Sequence, residues 1–566
     1  MLKGTALTAY GALVISLGGL LYGYDIGIVS GLLNTLRQEF ELSTAQLSAF
    51  VAVLFAGSIL GCVIGGLIVD AAGRKASIHV QNAFFLFGSI VLSNATTYSQ
   101  LMVGRFSVGI GISISTIAEV PYLLELAQPH LRGSLASSYE ILVTLGVLIA
   151  YVVTYILRDA SNNWRMSFGL PAIVTLLQSL ALVPLPESPY WLLKRGKEDD
   201  ARRSFERIYH GRDVSIADLI SSNKQEATSS SSSSNSYGSD GRNRESGGAA
   251  TIASALRALC RGDDELARFS YPFLVILMLQ LLSQLSGGTT VRVYAPTIFY
   301  DAGVSTSQAL LFNVILGTIK LATNIVMLLF VDRTEAERGG RKKLLLIGNY
   351  MIGLGYVILA IGFAAATTTP TSTFLVGCMF ILSGYSVSWG PILYLLSSEM
   401  FPVVIRGRAV SFSLLINNLA QLLVASTFLP VVAAVGASMT FFLFFLACCA
   451  SYIYIKFFLV ETANKDSKTI LRELLGVRDK VLFSLFPQYD RVGGSEDECG
   501  ERELKRRGNH VAVSVTLGSF YNDYTSTAND AWDDAVDDVV EISCNPIIRR
   551  EEPPAGRMQG EERRHV

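Results

Sequence analysis

The sequence predicts an all-α membrane protein with twelve transmembrane helices arranged as two related six-helix bundles. Three observations carry this. Apolar runs of roughly 20 residues, long enough to cross a hydrocarbon core about 30 Å thick, recur from Thr8 to Val460. The polar residues inside them are mostly Gly, Ser and Thr, which let membrane helices approach closely, and no polar stripe returns every three or four positions. Motifs of the first half recur in the second. Half of the 566 residues are hydrophobic and 16% are charged, with a formal net charge of −1. Soluble chains can share that balance, so its arrangement in runs decides.

The spans fall near 8–31, 47–69, 77–97, 100–124, 137–157 and 166–186, then near 271–300, 308–331, 343–366, 373–397, 408–431 and 437–460. The first carries Asp25 and no small-residue cleavage pattern, so it reads as a retained helix and not a signal peptide. Between the halves lies a loop at 187–268. Its start, Pro189 to His210, is charged and suits short surface helices. Its middle, Ser229–Ser234 and the Ser/Gly/Asn/Arg stretch that follows, is too polar to fold. The expected plan is a bundle at 1–186, the loop at 187–268, a bundle at 269–460 and a largely disordered tail at 461–566.

Charge orients the chain. One set of loops holds Arg74, Lys75, Arg132, the Lys194–Arg207 cluster, Arg341–Lys343, Arg406 and Arg408, and the alternate set little beyond Arg37, Arg158 and Arg165. That distribution places both termini in the cytoplasm. The seven cysteines are scattered and offer no disulfide framework or metal-ligand spacing. Asn94-Ala95-Thr96 matches a glycosylation acceptor but sits too close to a span's end to count.

Asp70-x-x-Gly73-Arg74-Lys75 follows the second span, and Asp332 leads to Gly340-Arg341-Lys342 after the eighth. Glu125 precedes Arg132-Gly133 by seven positions, as Glu399 precedes Arg406-Gly407. Glu187 lies 55 residues after Arg132, and Glu461 lies 55 after Arg406. Matched spacing argues for duplicated halves about a pseudo-two-fold axis along the membrane normal. Arg74, Glu125, Arg132 and Glu187, with Arg341, Glu399, Arg406 and Glu461, are expected to form a cytoplasmic latch. Its ion pairs would hold neighbouring helices and loosen when the inner side opens. Positive-inside topology alone explains the arginines but not the repeated glutamates.

Several motifs together resemble the sugar porter family of the major facilitator superfamily over about residues 8–465. They are Gly23-Tyr24-Asp25, Gly104-Arg105-Phe106, Pro121-Tyr122-x-x-Glu125 through Arg132-Gly133, and Pro186-Glu187-Ser188-Pro189. With them go Gln280, Gln284-Leu285-Ser286-Gly287, Gly390-Pro391 and Glu399-x6-Arg406-Gly407. The pattern is closest to class III facilitative hexose transporters, with proton–sugar symporters as more distant relatives. The resemblance implies the major facilitator fold and sugar transport by alternating access.

It also implies roles. Asp25 matches the proton carrier of coupled members, and Arg105 the arginine that modulates it. A protonatable carboxylate beside an arginine suits coupling, because protonation frees the arginine to favour another helix arrangement. A permanent ion pair is the alternative. Glu140 stands where most members place a sugar-contacting glutamine and Lys320 where many place an asparagine. The two are expected to face each other across a central cavity, although Lys320 could instead snorkel to an interface. Gln280 and Gln284 match sugar-contacting glutamines. Ser286-Gly287-Gly288-Thr289-Thr290 is a poor helix former and suits an outer gate, with Tyr294 on the moving segment. Ser283 replaces a second glutamine, Thr289 an asparagine contact, Tyr394 the tryptophan after Gly390-Pro391, and Asn418 a tryptophan of the eleventh span. The platform for a sugar ring is therefore smaller and more polar, with Tyr22 and Tyr385 expected to supply part of its aromatic face.

The expectation is a proton-coupled monosaccharide symporter, hexose first. Facilitative uniport, symport of a cyclic polyol such as inositol, and a non-transporting sensor signalling through its tail to a cytoplasmic partner are the alternatives. Nothing in the sequence forms a nucleophile–base pair, metal cluster or phosphate-cradling loop, so no enzyme, cofactor, metal or nucleic-acid partner is expected. The partners expected are a sugar or polyol, protons and the lipid bilayer. The plasma membrane is the expected setting, with an endomembrane as the alternative.

Overall fold

The computed structural model describes residues 4–126, 132–209, 270–301, 303–331, 340–365, 371–401, 403–462, 465 and 469–477. The Ser-rich stretch, Asp332 and nearly all of the tail lie outside the described residues. Among the described residues there are helices and turns but no strands, and twelve spans are long and apolar enough to cross a membrane.

The first bundle comprises α1 (Gly4–Glu39), α2 (Thr44–Ala72), α3 (Arg74–Ser93), α4 (Tyr98–Leu126), α5 (Arg132–Ile156) and α6 (Asn163–Leu182). Two short helices follow, α7 (Pro189–Lys194) and α8 (Glu198–Tyr209). In the second bundle α9 (Ser270–Leu285) and α10 (Gly288–Asp301) share the seventh span. Then come α11 (Thr306–Val331) and α12 (Arg341–Ala364), followed by α13 (Thr371–Val387) and α14 (Trp389–Glu399) in the tenth span. The bundle closes with α15 (Val403–Val435) and α16 (Ala437–Phe458).

Local chemistry sets the ends. Ser43 and Gln46 form a reciprocal capping box at the start of α2. The expected break in the seventh span falls at Gly287, whose φ of +68° a side chain would strain. The tenth span breaks at Ser388, which the sequence reading did not anticipate. Pro391 explains it: proline has no N–H for the carbonyl of Val387, and its ring crowds that oxygen. Helix α1 runs past its expected end, carrying Arg37 and Glu39 into an exposed position.

Small residues set the packing. Gly23, Gly27 and Gly31 recur every four residues along α1 against α5, and side chains there would collide with Val143, Val147 and Thr154. The bundles meet through α2 on α15, α5 on α11 and α1 on α10. Outward-facing Leu13, Phe87, Leu176, Leu177 and Leu180 are exposed, as a lipid-facing surface requires. Helix α8 buries Phe205 and Ile208 under the first bundle and Ala201 against Trp191 and Leu192 of α7.

Candidate functional site

At the end of each bundle that carries the duplicated motifs, a glutamate and an arginine meet. Arg74 donates from Nε and Nη2 to the Glu125 carboxylate at 3.1 and 2.9 Å. Arg341 Nη2 lies 2.7 Å from Glu399 Oε1. The second glutamate of each half does something the spacing did not suggest. Glu187 accepts the backbone N–H of Arg74 at 3.0 Å and of Lys75 at 3.2 Å. Glu461 accepts those of Arg341 at 2.9 Å and Lys342 at 3.1 Å. Each carboxylate thus caps the first turn of α3 or α12, where unpaired N–H groups and the helix dipole favour an anion. Burial pushes the Glu187 carboxyl above its ordinary value, and the N–H groups of Ser188, Lys75 and Arg74 pull it back down. The side chains of Arg132 and Arg406 lie outside the described residues.

The glycines of the motif follow from this capping. A Cβ on Gly73 would stand 2.6 Å from Glu187 Oε2, and one on Gly340 would overlap the Glu461 carboxylate. Gly73 also has φ +94°, whereas Gly340 has φ −65°. Gly73→Ala should therefore cost about 1–3 kcal/mol from backbone strain beyond the carboxylate clash. Gly340→Ala should suffer the clash alone. Thermal unfolding of the two purified variants checks this, and Gly73→Ala should have the lower Tm.

Deeper in the first bundle, Arg105 Nη1 donates to Asp25 Oδ2 at 2.5 Å, with Arg105 1% and Asp25 5% exposed. The guanidinium also lies over the ring of Phe50, 5.5 Å from its centroid. These two residues are therefore partners across α1 and α4.

A second polar group gathers where α1, α5, α10, α11 and α13 approach. Tyr22 has Arg292, Tyr385 and Glu140 as electrostatic neighbours, and Lys320 has Arg292 and Glu140. Gly288 makes room for the Tyr385 ring, and Gly390 lies beside Glu140 and Tyr385. A Cβ on Gly390 would lie 3.9 Å from Glu140 Oε1, and one on Gly288 would press on the Tyr385 ring. Lys320 does not snorkel, being 3% exposed. It has Glu140 as an electrostatic neighbour, while its Nζ approaches Thr144 Oγ1 at 3.5 Å, an oxygen that Asn324 also reaches. Arg292 is a like charge in the same neighbourhood.

The remaining expected residues are distributed around this group. Gln284 and Thr289 line a narrow cleft with Gln421 and Tyr294 between α2, α10 and α15. Among the described residues Thr289 Oγ1 is buried with no hydrogen-bond partner. Gln280 Oε1 accepts from Asn417 Nδ2 at 2.8 Å. Tyr294, on the segment after Gly287 and Gly288, donates to the Ala425 carbonyl at 3.1 Å and packs on Phe428. Asn418 points instead at Cys62 of α2, with Nδ2 3.4 Å from Sγ. The Tyr394 side chain lies outside the described residues.

Two buried ionisable residues are not reached by the sequence reading. Arg292 belongs to the group just described, and its carbonyl accepts from Tyr151 at 2.9 Å. Glu119 is fully buried and accepts from Gln81, Ser115 and Gln178 at 2.7–2.9 Å. The signal for both is a charge inside an apolar span, which is costly unless it is used.

The chain matches the model of the family described as "Sugar (and other) transporter" over residues 11–474. It is 30% identical to the probable metabolite transport protein CsbC of Bacillus subtilis, across 80% of this chain and 92% of that one. It is 28% identical to facilitated glucose transporter member 10 of solute carrier family 2 from Danio rerio, across 85% and 96%. Among solved structures it is similar to the proton:xylose symporter XylE of E. coli, there bound to 6-bromo-6-deoxy-D-glucose. That match has a TM-score of 0.66 and 26% identity, and covers 83% of this chain and all of XylE.

Proposed function

Because the chain belongs to the sugar (and other) transporter family, we propose that it carries a monosaccharide, a hexose first, by alternating access coupled to protons. What carries this reading is the group of half-buried Tyr22, Glu140, Tyr385 and Gly390 around buried Lys320, set where helices of both bundles meet. Sugar hydroxyls need donors and acceptors together, and a ring needs an aromatic face. The group offers all three. In this reading Gln280, Gln284 and Thr289 complete the sugar contacts, with Tyr394 and Asn418 at the margin.

Gly287, Gly288 and Tyr294 act as the outer gate. The latch of Arg74, Glu125, Arg132 and Glu187, with Arg341, Glu399, Arg406 and Glu461, faces the cytoplasm with both termini. That orientation rests on the positive-inside distribution of Lys and Arg. Asp25 takes and releases the proton, and Arg105 senses it. The setting is the plasma membrane, and the work is transport without covalent chemistry.

Uptake into proteoliposomes of purified protein tests it, using hexoses, pentoses and cyclic polyols with and without an imposed pH gradient. Saturable hexose uptake, with accumulation only under the gradient, is the expected result. Uptake of polyols alone would sink the monosaccharide reading. Equal final levels with and without the gradient would leave uniport.

A further inference from the structure

The central group holds more positive charge than a neutral sugar requires. Arg292 and Lys320 are 7% and 3% exposed and lie close enough to influence each other. Among the described residues neither forms an ion pair. Among the described residues Arg292 Nε has no hydrogen-bond partner, although Tyr22 lies against the guanidinium, and Lys320 Nζ has only the distant hydroxyl of Thr144. Glu140 is the carboxylate of this neighbourhood. Of the other buried carboxylates of the first bundle, Asp25 is paired with Arg105, and Glu119, held by three neutral donors, is not among the charges that face Tyr22 or Lys320. Two cations against one carboxylate leave one positive charge unbalanced at a depth where such a charge is costly.

Resting on the monosaccharide reading above, we propose that the substrate is a sugar acid, a uronate or aldonate, whose carboxylate is received by Arg292 with Lys320 beside it. Glu140 and Tyr385 are left for the hydroxyls, with Tyr22 already against Arg292. The single excess charge matches a monoanion, whereas a phosphate monoester carries about −1.5 to −2 at neutral pH. The planar fork of an arginine also fits a carboxylate through two parallel hydrogen bonds. A neutral hexose would leave the charge unanswered, which sets an acid apart from its parent sugar.

The test measures uptake of labelled D-glucose and of labelled D-glucuronate into proteoliposomes, each with unlabelled D-glucose, D-glucuronate or glucose 6-phosphate as competitor, for the natural protein, Arg292→Gln and Arg292→Lys. Glucuronate should compete at lower concentration than glucose or glucose 6-phosphate. Its preference over glucose should fall by about 30-fold or more in Arg292→Gln, the loss expected when one partner of a buried charge pair is removed. Arg292→Lys should recover part of it. If the natural protein takes glucose as well as or better than glucuronate, the sugar-acid proposal is overturned and the monosaccharide reading stands. Preference for the phosphate overturns the carboxylate assignment. If neither glucose nor glucuronate competes or enters, both proposals fall. The comparison on the natural protein decides even where a variant fails to fold.

Discussion

Asp25→Asn is expected to abolish gradient-driven accumulation of sugar while sugar still exchanges across the membrane. Asparagine keeps the size of the side chain and an acceptor for Arg105, but it can neither take nor release a proton. One proton crossing 100 mV supplies about 2.3 kcal/mol, enough for roughly fifty-fold accumulation. The variant should therefore fall from an accumulation of that order to a ratio near one. The contact that matters is the 2.5 Å bond to Arg105, because protonating Asp25 releases a buried guanidinium. That release can favour a different packing of α1 against α4. Equilibrium exchange of labelled sugar, measured alongside, separates lost coupling from a lost fold. Undiminished accumulation in a variant that exchanges normally would remove Asp25 from the proton path.

Arg74→Ala combined with Arg341→Ala should shift the resting protein toward the form open at the latched end. Each arginine makes charge-assisted bonds to a glutamate that is only partly buried, with side-chain exposures between 16% and 23%. Allowing for solvent screening, each pair is worth about 1 kcal/mol to the latched form. Losing both moves the equilibrium by ~2 kcal/mol, about thirty-fold. Either single variant should move it much less. Glu187 and Glu461 bond to backbone N–H groups and not to these side chains, so their caps survive in the double variant. Accessibility of a cysteine placed near the latched end reads the shift. Equal labelling of the double variant and the natural protein would show that the pairs are structural only.

The spans were legible because the bilayer fixes how long an apolar run must be, and the duplication because matched intervals survive in the chain. The break in the seventh span was legible from Gly287 and its neighbours, which cannot sustain a helix. The break at Ser388 was not, since Pro391 acts four residues back on a carbonyl whose place only the helix reveals. Partner choice within the latch was hidden for a similar reason. Arg74 and Glu125 are 51 positions apart and meet because α3 and α4 pack together. The interval of 55 residues marks the capping glutamates instead, whose targets are backbone groups that no residue type announces. Arg292 stood in plain view as a charge in an apolar span, but its neighbours come from α1 and α11 and only folding brings them together.

Paired distances across the two ends of the molecule test the central claim most directly. Spin labels at the exposed positions Asp70 and Lys343 would report on the latched end, and labels at Glu41 and Ser305 on the opposite end. Each pair places one label on each bundle. With saturating sugar at varied pH, the two distances should change in opposite senses, one end closing as the other opens. Distances that stay fixed, or that widen together, would contradict two bundles rocking about a site between them.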